Sequence, residues 1–397
     1  MPIVMECRWE DLVHINIMKR IYCDISATTP LEPRIGDFMR DLNLNAYGNP
    51  SSIHREGQAA KAVVEKSRRQ LATALSCTPD EIIFTSSGSE SNNMVLKGVL
   101  KSGDHFITSS YEHPAIGKVL PILEKQDVEI SQVQPDGNGR ISPSSVEGQI
   151  RENTRLISIM WVNNELGTIN PVSEIGAIAR ERKILFHSDG VQAFGKIRVN
   201  LSEIPVDFLS MSAHKLYGPK GVGALYKRQG AALTPLIHGG GQESNLRAST
   251  ENVSGIGGFG MAAQLAADKL EENIEQISNL EASFLSLLDE KAINYKVNGK
   301  DRVPGVLNLT FPEMDGQSLV LQLDLAGIGI SFGAACASGT MKTSNMLSDL
   351  GLTEEDALST VRISFGKIHN RDEVQKVAET LAGILKKSIS VLEEHEG

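Results

Sequence analysis

Lys215 stands in Ser212-Ala213-His214-Lys215-Leu216-Tyr217, directly after the apolar run Phe208–Met211. An amine at the carboxyl end of a buried strand, beside a histidine, can form a Schiff base with a carbonyl compound. A single loop lysine is more commonly just an exposed charge, so its meaning depends on what accompanies it. Asp189 follows the apolar run Ile184–His187, 26 residues before Lys215. An unpaired carboxylate buried there would be costly, so it calls for a cationic partner. Ser87-Gly88-Ser89-Glu90 follows a third apolar run, Ile82–Thr85. Ser87 and Glu90 form the S-x-x-E pattern that opens a helix. Gly88 admits a ligand close to the backbone. Free N–H groups, hydroxyls and the helix dipole suit a phosphate at that point. Alone, this segment reads more plainly as a helix cap.

Two more loops place polar residues in the same setting. Tyr111-Glu112-His113-Pro114 follows Phe106–Ser109, and Asn163-Asn164 ends a strongly apolar stretch. A phosphate cradle, a carboxylate seeking a cation and a strand-end lysine are together the contacts that pyridoxal phosphate requires. The lysine holds the aldehyde carbon, the aspartate keeps the pyridine nitrogen protonated, and the helix N-terminus holds the phosphate.

These loops can meet only if the elements behind them are aligned. Candidate strands are Ile82–Thr85, Phe106–Ser109, Val128–Val133, Leu156–Trp161, Ile184–His187, Phe208–Met211 and Gly223–Tyr226. Amphipathic stretches such as Val172–Arg182 lie between them. The alternation predicts an α/β fold with a mostly parallel, seven-stranded sheet covered on both faces. Function in such sheets gathers at the carboxyl ends of the strands. A long helical pattern over Met261–Asp289 follows, with apolar residues every three to five positions. Tyr295–Val297, Val306–Phe311, Ile328–Phe332, Val361–Phe365 and a terminal helix then predict a smaller C-terminal α/β domain. The expected division is 1–20 as an N-terminal extension, 21–32 as a segment joining the small domain, 33–270 as the large domain and 271–397 as the small one. The first 17 residues differ from the rest, which points to an extension or to a start at Met18.

Composition narrows the function classes. The 397 residues are 41% hydrophobic and 22% charged, ordinary for a folded globular chain. Lys plus Arg is 39 and Asp plus Glu is 49, a net charge of −10, which argues against a direct nucleic-acid binder. Cys7, Cys23, Cys77 and Cys336 make no C-x-x-C pair, so neither a disulfide framework nor a metal site is expected. The reading is a reducing, cytoplasmic setting. No apolar run approaches the roughly 18 residues that span a membrane. Gly255–Gly260 fits G-x-G-x-x-G, but the polar Ser249-Thr250-Glu251-Asn252 precedes it instead of a strand. It reads as a glycine-rich loop packed tightly on its neighbours. Gly190–Lys196 fits G-x-x-x-x-G-K, but Ile197 stands where a nucleotide loop needs Ser or Thr.

With these segments in order, the chain resembles the cysteine desulfurases of the class V aminotransferase family, the fold-type I pyridoxal phosphate enzymes. The resemblance runs from Ile21-Tyr22-Cys23-Asp24 to Val361-Arg362-Ile363-Ser364. It includes Tyr47-Gly48-Asn49-Pro50-Ser51-Ser52-Ile53-His54 and His238-Gly239-Gly240-Gly241-Gln242-Glu243. It implies a Schiff-base and proton-carrying role for Lys215. Asp189 is then the partner of the ring nitrogen, Gln192 that of the ring's phenolic oxygen, and His113 the residue stacked on the ring. Gly88, Ser89, Ser212 and His214 are implied as phosphate or cofactor contacts. Asn164 and Arg362 are implied as holders of the substrate carboxylate, Asn164 also touching the cofactor. Thr250 resembles the residue that reaches the phosphate from the neighbouring subunit, which implies a homodimer with shared sites.

Cys336, in Gly333-Ala334-Ala335-Cys336-Ala337-Ser338-Gly339, resembles the family's nucleophile. Its small, glycine-bearing surroundings are those of reactive rather than packed thiols. The stretch from Cys336 to Leu350 resembles the group with an extended catalytic loop. The implied reaction takes sulfur from L-cysteine onto Cys336 as a persulfide and releases L-alanine. The sulfur would pass to an acceptor protein, an iron–sulfur scaffold or a tRNA thiolation enzyme. Departures are Gly190 where Ala is common, Ala213 where Gly is common, and Ala248-Ser249 where Ser-Gly is common. A selenocysteine lyase, an aminotransferase of the same fold, or a non-catalytic sulfur-transfer scaffold are the alternatives.

Overall fold

The computed structural model describes residues 20–312, 314–332, 347 and 349–396, with side chains as far as residue 387. Met18, Cys7 and Cys336 lie outside the described residues. Seven strands form the main sheet: β2 (Ile82–Thr85), β3 (His105–Ser109), β4 (Glu129–Val133), β5 (Thr154–Ser158), β6 (Leu185–Asp189), β7 (Phe208–Ser212) and β8 (Gly223–Lys227). A short β1 (Ile21–Tyr22) precedes them. The sheet order is β2-β8-β7-β6-β5-β3-β4. Only β8 runs against the others, being antiparallel to both β2 and β7. The carboxyl ends of β2, β3, β5, β6 and β7 therefore share one edge.

The inner strands are buried on both faces, while the edge strand β4 exposes Glu129 and Gln132. Ile83, Phe106, Leu156, Phe208 and Leu225 pack on one face. Ile82, Phe84, Ile107, Ile157, Phe186 and Leu209 pack on the other. A second sheet holds β9 (Lys296–Asn298), β10 (Val306–Thr310), β12 (Ser331–Phe332) and β13 (Thr360–Ser364), in the order β12-β13-β10-β9. Its core, including Phe284, Leu307, Phe311, Ile363 and Val377, is separate from the other two. Strand β1 joins this region by pairing with β11 (Ile328–Gly329), Ile21 opposite Ile328.

Three expectations are corrected. The helical pattern over Met261–Asp289 is two helices, Val253–Asp268 and Leu270–Glu290, meeting at Lys269. The glycine-rich segment lies in the first of them and is not a loop. A Cβ on Gly257 would sit 2.4 Å from Leu42, and one on Gly260 2.7 Å from Ser67 Cα. The glycines thus let this helix press against the helices Pro33–Asn45 and Arg55–Leu75. Ile328–Phe332 splits into β11 and β12, which belong to different sheets. Among the described residues no helix is long and apolar enough to cross a membrane.

Candidate active site

The five loops at the shared sheet edge converge on a cavity of about 320 Å³. Gly88, His113, Asp189, Ser212, Lys215 and Arg362 all line it, and so do Ser89, Asn164, Gln192 and His214. Thr250 does not. It is exposed and lines an adjoining recess with Thr85, Ser86 and Arg247.

The cradle is built as its sequence suggests, with one shift. Ser87 Oγ accepts from the Glu90 N–H at 3.2 Å and caps the helix Gly88–Val99. Glu90 reaches back to the N–H of Ser86, not Ser87, at 2.7 Å. It also pairs with Arg247 at 2.8 Å, which ties the cradle to the segment carrying Thr250. A Cβ on Gly88 would stand 2.5 Å from Val191 Cγ2, so only glycine keeps this wall open. Ser249, where the resembling family carries glycine, adopts φ 116°, a conformation glycine takes freely. Gly190 faces the opposite constraint, since a Cβ there would lie 2.6 Å from Leu209 Cδ1.

Asp189 ends β6 and is buried. Its Oδ2 accepts from Asn92 Nδ2 at 2.7 Å and its Oδ1 from the Val191 N–H at 3.0 Å. Asn92 Oδ1 is buried without a partner. Lys215 follows β7 in a single turn, Ala213–Lys215. Its Nζ donates to the carbonyl oxygens of Ser26 and Ala27 at 2.5 and 2.7 Å. Burial, then the Arg362 charge, pushes the amine down to about 8, against the opposing pull of Asp24 and Asp189. About a tenth of the amine is then neutral and nucleophilic at pH 7, far more than for an ordinary lysine.

His113 caps a short turn, its Nδ1 accepting from the Ala115 N–H at 3.1 Å. The proton of the neutral ring is therefore on Nε2. Burial and Lys215 hold His113 below the usual histidine range, against the pull of Asp189. His214 Nδ1 contacts Thr28 Oγ1 at 3.1 Å. Burial, with Lys215, Lys220 and Lys196 nearby, pushes it down to about 4, so it is neutral.

Arg362, from β13, reaches the cavity across the junction of the two sheets. Its Nη2 donates to Asp24 Oδ1 at 2.8 Å, and its Nη1 to the carbonyl oxygen of Asn164 at 2.8 Å. Asn164 thus meets Arg362 through its backbone. Arg362 Nε is buried without a partner. A guanidinium carries five donor hydrogens, so this fork keeps donors for a carboxylate.

Four residues of the site carried no signal that the motif reading used. Asp24 orients Arg362, Asn92 holds Asp189, Lys196 contacts Gln192 Oε1, and Glu112, next to His113 in sequence, accepts from Ser109 and the Met160 N–H. Their types, polar residues inside otherwise apolar surroundings, were the available clue. Beyond Phe332, which pairs with Val361 beside Arg362, the chain leads on to Cys336, outside the described residues.

The donor set fits pyridoxal phosphate. A buried carboxylate suits the ring nitrogen, Gly88 leaves room at a helix N-terminus, and an amine of lowered basicity opens onto the same cavity. The family described as Aminotransferase class-V matches residues 21–377. The cysteine desulfurase IscS of Dictyoglomus turgidum is 42% identical over 377 residues, covering 93% of this chain and 96% of its own. A solved NifS-like protein superposes with a TM-score of 0.87 at 35% identity, covering 92% of this chain and 99% of its own. The structure titled SspA in complex with cysteine gives 0.78 at 35% identity, over 87% and 99%. The chain belongs to the cysteine desulfurase family of class V aminotransferases, enzymes that depend on pyridoxal phosphate.

Proposed function

We propose that the chain is a cysteine desulfurase that moves sulfur from L-cysteine to Cys336 and releases L-alanine. The observation that carries this is the meeting of Lys215, Asp189, His113 and Arg362 around one cavity. Pyridoxal phosphate, when bound, supplies a carbon that bonds the substrate's amino group and a ring that withdraws electrons from Cα. The helix N-terminus at Gly88 and Ser89, with Ser212 and His214, would hold its phosphate. Asp189 would hold its ring nitrogen, Gln192 its ring oxygen, and His113 its face. Arg362, oriented by Asp24, binds the substrate carboxylate, with Asn164 beside it. Lys215 Nζ is placed to take the Cα proton. The Cys336 thiolate attacks the substrate sulfur. The new S–S bond forms as the C–S bond breaks, and its electron pair stays with Cβ. Lys215 and His113 Nε2–H are the proton carriers placed to return a proton before L-alanine leaves.

Thr250, exposed and away from the Lys215 cavity of its own chain, is assigned to the phosphate of a second copy. We take the working form to be a homodimer on that ground. The persulfide would pass to an acceptor protein, an iron–sulfur scaffold or a tRNA thiolation enzyme. A free Cys336 thiol fits the reducing conditions of the cytoplasm. Residues 33–270 and 271–397 are taken as the large and small domains, with 21–32 returning to the small one.

The test is alanine formation from L-cysteine by the purified holoenzyme with a reductant. Cys336→Ser should keep the cofactor's visible absorbance and lose alanine formation. Unchanged alanine formation in that variant would refute the assignment.

A further inference from the structure

Lys196 sits in the G-x-x-x-x-G-K segment, on tight turns that follow Asp189. Its ammonium group approaches Gln192 Oε1 in a short hydrogen bond. Among the described residues no carboxylate lies within ion-pair distance of it. Burial is the main effect pushing it down to about 7, with Lys215 and Arg362 adding to it. A half-buried cation without a counter-ion carries a desolvation cost, so its place demands a reason.

The reason lies in what an amide can do. Gln carries an acceptor at one end and two donor hydrogens at the other, and its own packing rarely decides which end faces where. The protonated amine only donates and the Ser26 carbonyl only accepts, so together they set the amide oxygen toward Lys196 and Nε2 toward Ser26. Gln192 Nε2 then turns away and donates to the Ser26 carbonyl oxygen at 2.8 Å. That oxygen also accepts from Lys215 Nζ. One hydrogen of Nε2 is spent on Ser26, and Gln192 lines the cavity where the other is wanted.

We infer that Lys196 is a positioning residue for the reaction: it fixes the Gln192 amide so that Nε2, and not Oε1, is presented to the oxygen of the cofactor ring. The inference rests on the reading of Gln192 as the partner of that oxygen. Lys196 does not line the site cavity; it acts through Gln192. A donor at the ring oxygen alters the acidity of the lysine-bound cofactor, which is visible in its absorbance.

The experiment titrates the visible band of four holoenzymes against pH: wild type, Lys196→Met, Gln192→Ala and the double variant. Lys196→Met replaces a half-buried cation by an apolar chain of similar length, so the fold should survive, and the melting temperature checks this. Lys196→Met should move the midpoint of the band by about half a pH unit or more. It should also speed cofactor loss on dilution by roughly three- to tenfold, as expected for one hydrogen bond. Gln192→Ala should do the same, and the double variant should go no further than Gln192→Ala. Lys196→Arg, which keeps a donor, should return the midpoint toward wild type. A wild-type titration in Lys196→Met, beside a shifted one in Gln192→Ala, would overturn the inference alone. Shifts that add in the double variant would do so too, because Lys196 would then act by another route. An unmoved band in Gln192→Ala would remove the reading of Gln192 and the inference with it.

Discussion

Glu112→Gln should make the protein's stability less sensitive to pH, by an amount the structure allows to be worked out. Glu112 is half-buried with its carboxyl turned inward, Oε1 accepting from Ser109 Oγ at 2.7 Å and from the Met160 N–H at 2.9 Å. Oε2 has no partner. Burial pushes its carboxyl up to about 8, against the pull of those two bonds and with a smaller push from Asp189. The unfolded chain releases the same proton near pH 4.3. Between these values the native state holds a proton that the unfolded state has lost, so stability falls as pH rises. The slope is about 1.4 kcal/mol per pH unit, or roughly 2.5 kcal/mol between pH 5.5 and 7.5. Glutamine keeps the acceptor at Oε1 and has no proton to lose. Unfolding entropy near 2.1 cal/mol/K per residue converts this to about 3 °C for a chain of this length. The assay is the melting temperature of both holoenzymes across that range. The gap between Glu112→Gln and wild type should widen by about 3 °C in favour of the variant. A gap constant to within about 1 °C would mean that Glu112 is ionised in the native state, and the reasoning would fail.

Two further changes test the walls of the site. Asp24→Asn removes the charge that orients Arg362 but keeps an acceptor. It should raise KM for L-cysteine about tenfold, the worth of one charge-assisted bond, with the cofactor spectrum retained; an unchanged KM would separate Arg362 from the substrate. Gly88→Ala should cost about 1–3 kcal/mol in cofactor affinity or stability through its clash with Val191. Adding Val191→Ala should recover most of that loss in melts with and without pyridoxal phosphate. A double variant as weak as Gly88→Ala would place the cause elsewhere.

Apart from β4, the strands of the main sheet were legible because each carries apolar residues on both faces, bounded by turn residues. The polar residues at their carboxyl ends stood out against that background, and Gly88, Asp189 and Lys215 were found there. What local sequence hides is pairing over distance. Ile328–Phe332 looks like one strand, yet Gly329 pairs with Tyr22 and Ser331 with Arg362. The break at Lys269 leaves no proline or glycine to announce it. Asp24 was passed over because its partner Arg362 is 338 positions away. Lys196 was visible only as part of a nucleotide motif that failed. Its contact with Gln192 is an i, i+4 relation, but nothing in the letters says that both face inward.

The segment from Asp24 to Thr29 ties together parts of the chain made far apart in synthesis. Asp24 holds Arg362, the Ser26 and Ala27 carbonyls hold Lys215, and Thr29 Oγ1 donates to the His214 carbonyl at 2.9 Å. A nascent chain that has emerged through β8 already carries the cradle, Asp189 and Lys215, and has every local element needed to shape a cofactor site. It has no Arg362. Long-range contacts of this kind form late in folding. Arg362 leaves the ribosome 338 residues after Asp24, the carboxylate that orients it. On the role proposed for Arg362, substrate capture waits until β13 has joined the rest of the site.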